Sequence, residues 1–159
     1  MTKLIATFFY TGLLRPASGT WGSLAACPAL LLLHLAGGFE LVVVATFTVF
    51  LLGWWATIRE TEGRDDHDPS EIVIDEVAGM WISLWPVSLG AQMAGADVTA
   101  LWPGWVVAFF AFRLFDIWKP GPVGWADRRN DPLGVMLDDV IAGIMAAIVV
   151  AAAAGIAHA

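Results

Sequence analysis

Residues 39–58, FELVVVATFTVFLLGWWATI, run for twenty positions with a single charge, Glu40. About 20 apolar residues in a helix match the ~30 Å hydrocarbon core of a bilayer. Similar runs occur at about 23–36, about 72–94, about 100–118 and about 135–157. The first is short for a span, and Gly37-Gly38 places a tight hairpin turn between it and the second. Pro28 near its start is tolerable as a first-turn proline. The third is interrupted by Pro86, and the fourth stops at WKPGP. The expected fold is all-α: a polytopic integral membrane helical bundle of four to five transmembrane or re-entrant helices. Residues 1–159 are expected to form one membrane-embedded domain. A soluble helical bundle is the rival fold, because several segments carry acids at their ends.

Composition supports the membrane. The chain is 58% hydrophobic and 14% charged, against roughly 45–50% and about 25% for soluble domains. The N-terminal stretch MTKLIATFFYTGLLRPASG has the look of a signal peptide, but no clean A-x-A site follows, so it is expected to be retained. The net charge of −7 argues against a nucleic-acid partner and comes mostly from one acid-rich segment. Cys27 is the one cysteine, so no disulfide forms within the chain, and it is expected to be a small buried hydrophobe.

The basic residues are Lys3, Arg15, Arg59, Arg64, Arg113, Lys119, Arg128 and Arg129. Threading five spans puts all of them on one side, while the opposite connections hold Glu40, Asp97 and His158. The positive-inside rule makes the basic side cytoplasmic. Were the first segment re-entrant, the parity would change. Trp21, Trp54, Trp55, Trp102 and Trp118 fall near span ends, as an interfacial belt requires, whereas Trp81, Trp85 and Trp105 are expected to pack internally.

Most of the acids lie on the basic side. Glu60, Glu62, Asp65, Asp66 and Asp68, with Arg59, Arg64 and His67, read as a solvated loop. His34 reads as a satisfied helix histidine. Glu71, Asp75, Glu76, Asp116, Asp138 and Asp139 are different, because they arrive from three apolar segments at one depth. Glu71 and Asp75, four apart, are expected to share a helix face. Two stretches, IDEVAG and LDDVIAG, echo each other: Asp75 with Gly79, and Asp139 with Gly143. Each glycine lets another backbone approach beside a carboxylate. Arg113, Asp116 and Lys119 share a further face. Acids at membrane depth cost about +2.5 to +3.5 kcal/mol each, so they are normally paired or bound to something. Structural pairing with Arg113 and Lys119 at wet helix ends is one reading. A hard divalent cation is the other, since oxygen donors without His or Cys suit Mg²⁺ joined to substrate phosphates.

RPASGTWGSL, residues 15–24, offers glycines, hydroxyls and Arg15 before the first helix. Backbone N–H groups there would attract an anion. Taken alone it reads equally well as a turn with Ser23 as N-cap. Arg128 and Arg129 read either as offsets to phosphate charge or as positive-inside anchors.

SGTWGSL, DPSEIVIDEVAGMW, FRLFDIWKPGPV and GVMLDDVIAG, in that order, resemble the phosphatidylglycerophosphatase A family over about residues 18–143. Gly121 departs from the pattern, standing in K-P-x-P where a bulky residue is expected. The resemblance implies an inner-membrane, Mg²⁺-dependent phosphatase, a phosphoric monoester hydrolase releasing phosphatidylglycerol from phosphatidylglycerophosphate. Its partners would be the bilayer and a phospholipid substrate. No D-x-D-x-[TV] signature is present, and no histidine is placed as a nucleophile, which leaves metal-assisted hydrolysis. Glu71, Asp75, Asp116, Asp138 and Asp139 are the expected metal ligands or water-orienting groups. Asp75, Glu76 and Asp139 are the expected catalytic groups, with Glu76 as candidate general base. Thr20, Gly22, Ser23, Arg113 and Lys119 are expected to bind phosphate. The nucleophile is a water or a carboxylate such as Asp75. The alternative function is a cation-binding transporter or channel using intramembrane carboxylates, which predicts acids nearer mid-span. A structural membrane subunit is a further rival.

Overall fold

A computed structural model describes residues 1–64 and 69–157. The expected loop positions Asp65, Asp66, His67 and Asp68, and the terminal His158, lie outside the described residues. Among those described there are helices and short 3₁₀ turns and no strand. The helices are α1 Thr2–Ala6, α2 Ser18–Thr61, α3 Ile74–Ser83, α4 Trp85–Ala94, α5 Trp102–Trp118, α6 Pro122–Asp127 and α7 Pro132–Ala157. Three stretches are long and apolar enough to cross a membrane: Ser18–Thr61, Val98–Trp118 and Pro132–Ala157.

Helix α2 is two helices joined at Gly37 and Gly38, whose φ angles are −161° and 67°. The positive φ of Gly38 is a conformation that side chains other than glycine resist. The two limbs, 18–36 and 39–61, fold back on each other, and their partners prove it. On limb 1, the Trp81 indole donates to the Ala26 carbonyl at 2.8 Å and His34 Nδ1 meets Ser88 Oγ at 2.8 Å. On limb 2, the Trp85 indole donates to Thr46 Oγ1 at 3.3 Å and Ile74 packs on Gly53. Numbering rises along limb 1 and falls along limb 2 as α3 and α4 advance. Gln92 closes the turn, accepting from the Phe39 N–H at 2.6 Å and donating to Glu40 at 2.9 and 3.0 Å. Limb 1 begins at Ser18, earlier than the expected 23, so its 19 or so residues reach ~28 Å.

The expected third span, 72–94, is two shorter helices. The chain bends at Leu84, and Pro86 sits in the first turn of α4, where its missing N–H is no loss. Helix α3 is apolar all round apart from its acids and the terminal Ser83, and every residue but Glu76 is buried. Such a helix belongs at the centre of a bundle rather than on its surface. Both limbs of α2, α5 and α7 enclose it.

The outer faces are greasy. Leu32 is 68% exposed, Phe110 67% and Ile148 64%, with Leu35, Val44, Phe47 and Ile144 exposed alongside them. Water would penalise so continuous an apolar surface; a bilayer does not, and the chain is a membrane protein. Trp21, Trp54, Trp55, Trp102 and Trp118 are exposed, while Trp81 is buried and Trp85 and Trp105 are half-buried with their indoles hydrogen-bonded. Cys27 is half-buried rather than fully buried, its thiol directed at the Ser23 carbonyl at 3.5 Å.

Chain direction places the starts of limb 1, α3 and α7 and the ends of limb 2 and α5 at one end of the bundle. The basic residues fall at or beyond these termini, except Arg113, which lies inside α5 a little over one turn from its end.

Candidate metal and phosphate site

Helices α3 and α7 run in the same direction and touch at Gly79 and Gly143. A Cβ on Gly79 would stand 2.5 Å from the Asp139 carbonyl oxygen and 2.6 Å from the Phe112 ring. A Cβ on Gly143 would strike the Gly79 carbonyl. The backbones are therefore closer than any side chain permits. One turn earlier on each helix stands an aspartate, Asp75 and Asp139, and the contact brings the two together. The echo between IDEVAG and LDDVIAG is thus a geometric one.

Glu76 completes the cluster. One carboxylate oxygen each from Asp75, Glu76 and Asp139 lies within 4.8 Å of the others. Asp75 and Asp139 are 5% and 3% exposed. Glu76 Oε2 and Asp139 Oδ1 are buried and have no hydrogen-bond partner. Buried carboxylate oxygens without partners are costly. A hard divalent cation, whose oxygen ligands sit at about 2.0–2.6 Å, satisfies all three acids at once. The donor set fits such an ion.

The cluster opens onto a cavity of 370 Å³ at the basic end. Its wall includes Ser18, Gly19, Ser70, Glu76, Arg113, Asp116 and Lys119. The first turn of α2 forms one side. The Trp21 N–H makes the earliest bond of this helix, to the Ala17 carbonyl at 3.1 Å, so the amides of Ser18, Gly19 and Thr20 precede the ladder. Gly19 is pressed against the Glu76 carboxylate, and its absent Cβ would also lie 3.2 Å from Arg113 Nη1. Helix α5 supplies the opposite side. Its Arg113 and Asp116, one turn apart, form an ion pair, and both are largely buried.

Lys119 ends α5 in a left-handed conformation, φ 48°. Its ammonium pairs with Asp127 and, at 2.9 Å, with Asp138. Burial alone would favour the neutral amine, but the bonds and charges of Asp127 and Asp138 outweigh it and the pKa rises. Lys119 is therefore a fixed cation at the cavity rim. Gly121, the departure from the K-P-x-P pattern, has φ 48°, so a glycine suits the turn into α6.

Not every expected residue stands where its spacing suggested. Glu71 does not share a helix face with Asp75, because α3 begins only at Ile74. Glu71 lies in the preceding turn, 3.8 Å from Arg64. The segment RPASGTWGSL is not a loop preceding the helix, since Ser18 onward is already helical. Gly22 packs on Val73, and Ser23, far from capping, donates to the Gly19 carbonyl at 2.8 Å. Thr20 is half-buried and outside the cavity wall. Asp116 lies in the wall, facing Asp139. Asp138 turns instead to Lys119, its other oxygen accepting from the Asp139 N–H at 2.9 Å. Sequence reasoning passed over Asp127 and Ser70, which no spacing tied to the acids. It treated Gly19 only as part of a loop.

A family model for phosphatidylglycerophosphatase A matches residues 4–154. A Haemophilus influenzae protein named phosphatidylglycerophosphatase A is 38% identical over 149 residues, covering 92% of this chain and 85% of that protein. An Escherichia coli protein of the same name is 34% identical over 146 residues, covering 91% and 78%. A Bacteroides thetaiotaomicron protein with the name "Putative phosphatidylinositol-3-phosphatase" is 35% identical over 155 residues, covering 94% and 91%. No solved structure matches the chain. With its buried acids, its cavity and nearly its whole length matched, the chain belongs to the phosphatidylglycerophosphatase A family and is a phosphoric monoester hydrolase.

Proposed function

We propose that this protein hydrolyses phosphatidylglycerophosphate to phosphatidylglycerol and phosphate, with Mg²⁺, at the cytoplasmic face of a bacterial inner membrane. The observation that carries the reading is the joining of two features in one place. A cation-ready trio, Asp75, Glu76 and Asp139, adjoins a cavity walled by Arg113, Lys119 and the start of α2.

Asp75, Glu76 and Asp139 would hold the metal, with Asp116 beside them in the cavity wall. When bound, Mg²⁺ draws charge from the phosphoryl oxygens and acidifies a nearby water. Arg113, Lys119 and the leading amides of α2 bind the terminal phosphate and hold it in line. Glu76 accepts the proton of the attacking water as its oxygen bonds to phosphorus. The bond from phosphorus to the glycerol oxygen breaks, and that oxygen takes up the proton that Glu76 accepted, becoming the hydroxyl of the product and restoring the carboxylate. The acyl chains stay in the bilayer throughout. The basic end supports a cytoplasmic site through the positive-inside rule, and the bacterial relatives support an inner membrane.

The test is phosphate release from phosphatidylglycerophosphate by purified protein, with Mg²⁺ and after chelation. Phosphatidylinositol 3-phosphate serves as the rival substrate. Metal-dependent release, faster from phosphatidylglycerophosphate and lost in Asp75→Asn, is the expected outcome. Equal turnover with and without metal would sink the mechanism. Preference for the inositol lipid would reassign the substrate.

A further inference from the structure

A second recess lies along the same pair of helices as the phosphate cavity. It has a volume of 320 Å³ and is lined by Cys27, Pro28, Leu31, Thr99, Trp102 and Trp105. Its polar atoms are largely occupied. The Cys27 thiol points to the Ser23 carbonyl at 3.5 Å, Thr99 Oγ1 donates to Asp97 at 2.8 Å, and the Trp105 indole donates to the Val98 carbonyl at 3.0 Å. An occupant is offered apolar contact and almost nothing else.

The position of this recess matters more than its chemistry. Gly19, Ser23 and Cys27 follow one another at four-residue steps on limb 1, and so lie on one face of it. Arg113, Phe109 and Trp105 do the same on α5, in the opposite chain direction. Gly19 and Arg113 line the phosphate cavity, whereas Cys27 and Trp105 line the apolar recess. Eight residues separate the two openings on each helix, ~12 Å at helical rise. The charged opening therefore lies at the basic end, and the greasy one lies further along the same two helices, toward the start of α5 where Thr99 and Trp102 stand, with the buried Ser23 between them. A lipid in a bilayer has the same polarity along the same direction.

We propose that this recess holds the far part of an acyl chain of the lipid whose phosphate occupies the cavity, so that the enzyme grips its substrate at both headgroup and tail. The inference rests on the lipid-phosphatase reading above.

The experiment uses full-length protein in phosphatidylcholine nanodiscs, with dihexanoyl and dioleoyl forms of phosphatidylglycerophosphate as probes. Cys27, the one cysteine of the chain, is alkylated on the folded protein with N-cyclohexylmaleimide to fill the recess, and Leu31→Trp fills it genetically. Either change is expected to raise the ratio of long-chain to short-chain KM about tenfold, the worth of a modest apolar pocket, with kcat for the long-chain substrate retained. An unaltered ratio in the alkylated protein overturns the proposal, and that arm stands even if Leu31→Trp fails to fold. With turnover stopped by chelation, the dioleoyl substrate is expected to slow alkylation of Cys27 more than the dihexanoyl one does. Equal rates would mean that bulk lipid fills the recess, which also overturns it. Failure of untreated protein to release phosphate from either substrate strikes the phosphatase reading itself, a separate result.

Discussion

IDEVAG on α3 and LDDVIAG on α7 carry the same parts in a different order. Each places an aspartate one turn before a glycine, and the glycines touch, so Asp75 and Asp139 meet as near equivalents. The second acid breaks the likeness. On α3 it follows the aspartate, and Glu76 reaches the cavity. On α7 it precedes the aspartate, and Asp138 is directed to Lys119. Successive positions on a helix point about 100° apart, so this exchange of order sends the two acids to different neighbours. The equivalent pair forms the buried floor, and the unlike pair gives the site two distinct sides.

That comparison is open to attack at several points. Chelation of divalent ions is expected to abolish phosphate release and to restore it on adding Mg²⁺; stoichiometric activity in a chelator would remove the shared role of the floor. Asp75→Asn and Asp139→Asn should each lower kcat by about two to three decades, the size of a lost electrostatic contact to the transition state. If one is far milder than the other, the two are not equivalents. Glu76→Gln is expected to cost about a hundredfold in kcat through loss of a proton acceptor. Asp138→Asn should cost less than about tenfold, mostly in KM, because it frees rather than removes Lys119. Equal losses for these two would erase the proposed asymmetry. Gly79→Ala forces a methyl group against the Asp139 carbonyl and is expected to destabilise the bundle by about 1–3 kcal/mol, read as a lower thermal midpoint. Gly143→Ala addresses the same contact, so the double variant should lose less than the sum of the two.

Much of this arrangement was legible before any coordinates. The apolar runs marked the helices, Gly37-Gly38 marked the turn, and each Asp and Gly spacing marked a place where another backbone comes close, although not that α3 and α7 meet each other there. What was hidden has physical causes. Glu71 and Asp75 have helical spacing, but spacing does not say where a helix begins, and α3 starts at Ile74. The Gly- and Ser-rich stretch after Pro16 has the composition of a loop. It is helical because Val73 and Glu76 press against Gly22 and Gly19, and those contacts are remote in sequence. The interruption expected at Pro86 in 72–94 falls two residues earlier, at Leu84, because a proline is accommodated in the first turn of a helix. Asp127 sits on a six-residue helix amid prolines and glycines, with no periodicity to mark it.

The enclosure of α3 has a consequence for biosynthesis. Its two acids are shielded from lipid only when every neighbour is in place, and α7, which brings Asp139 and Gly143, follows all the others in translation. Until then the nascent chain holds Asp75 and Glu76 beside an open groove at Gly79. The candidate site and the burial of its acids are therefore completed in the same late event.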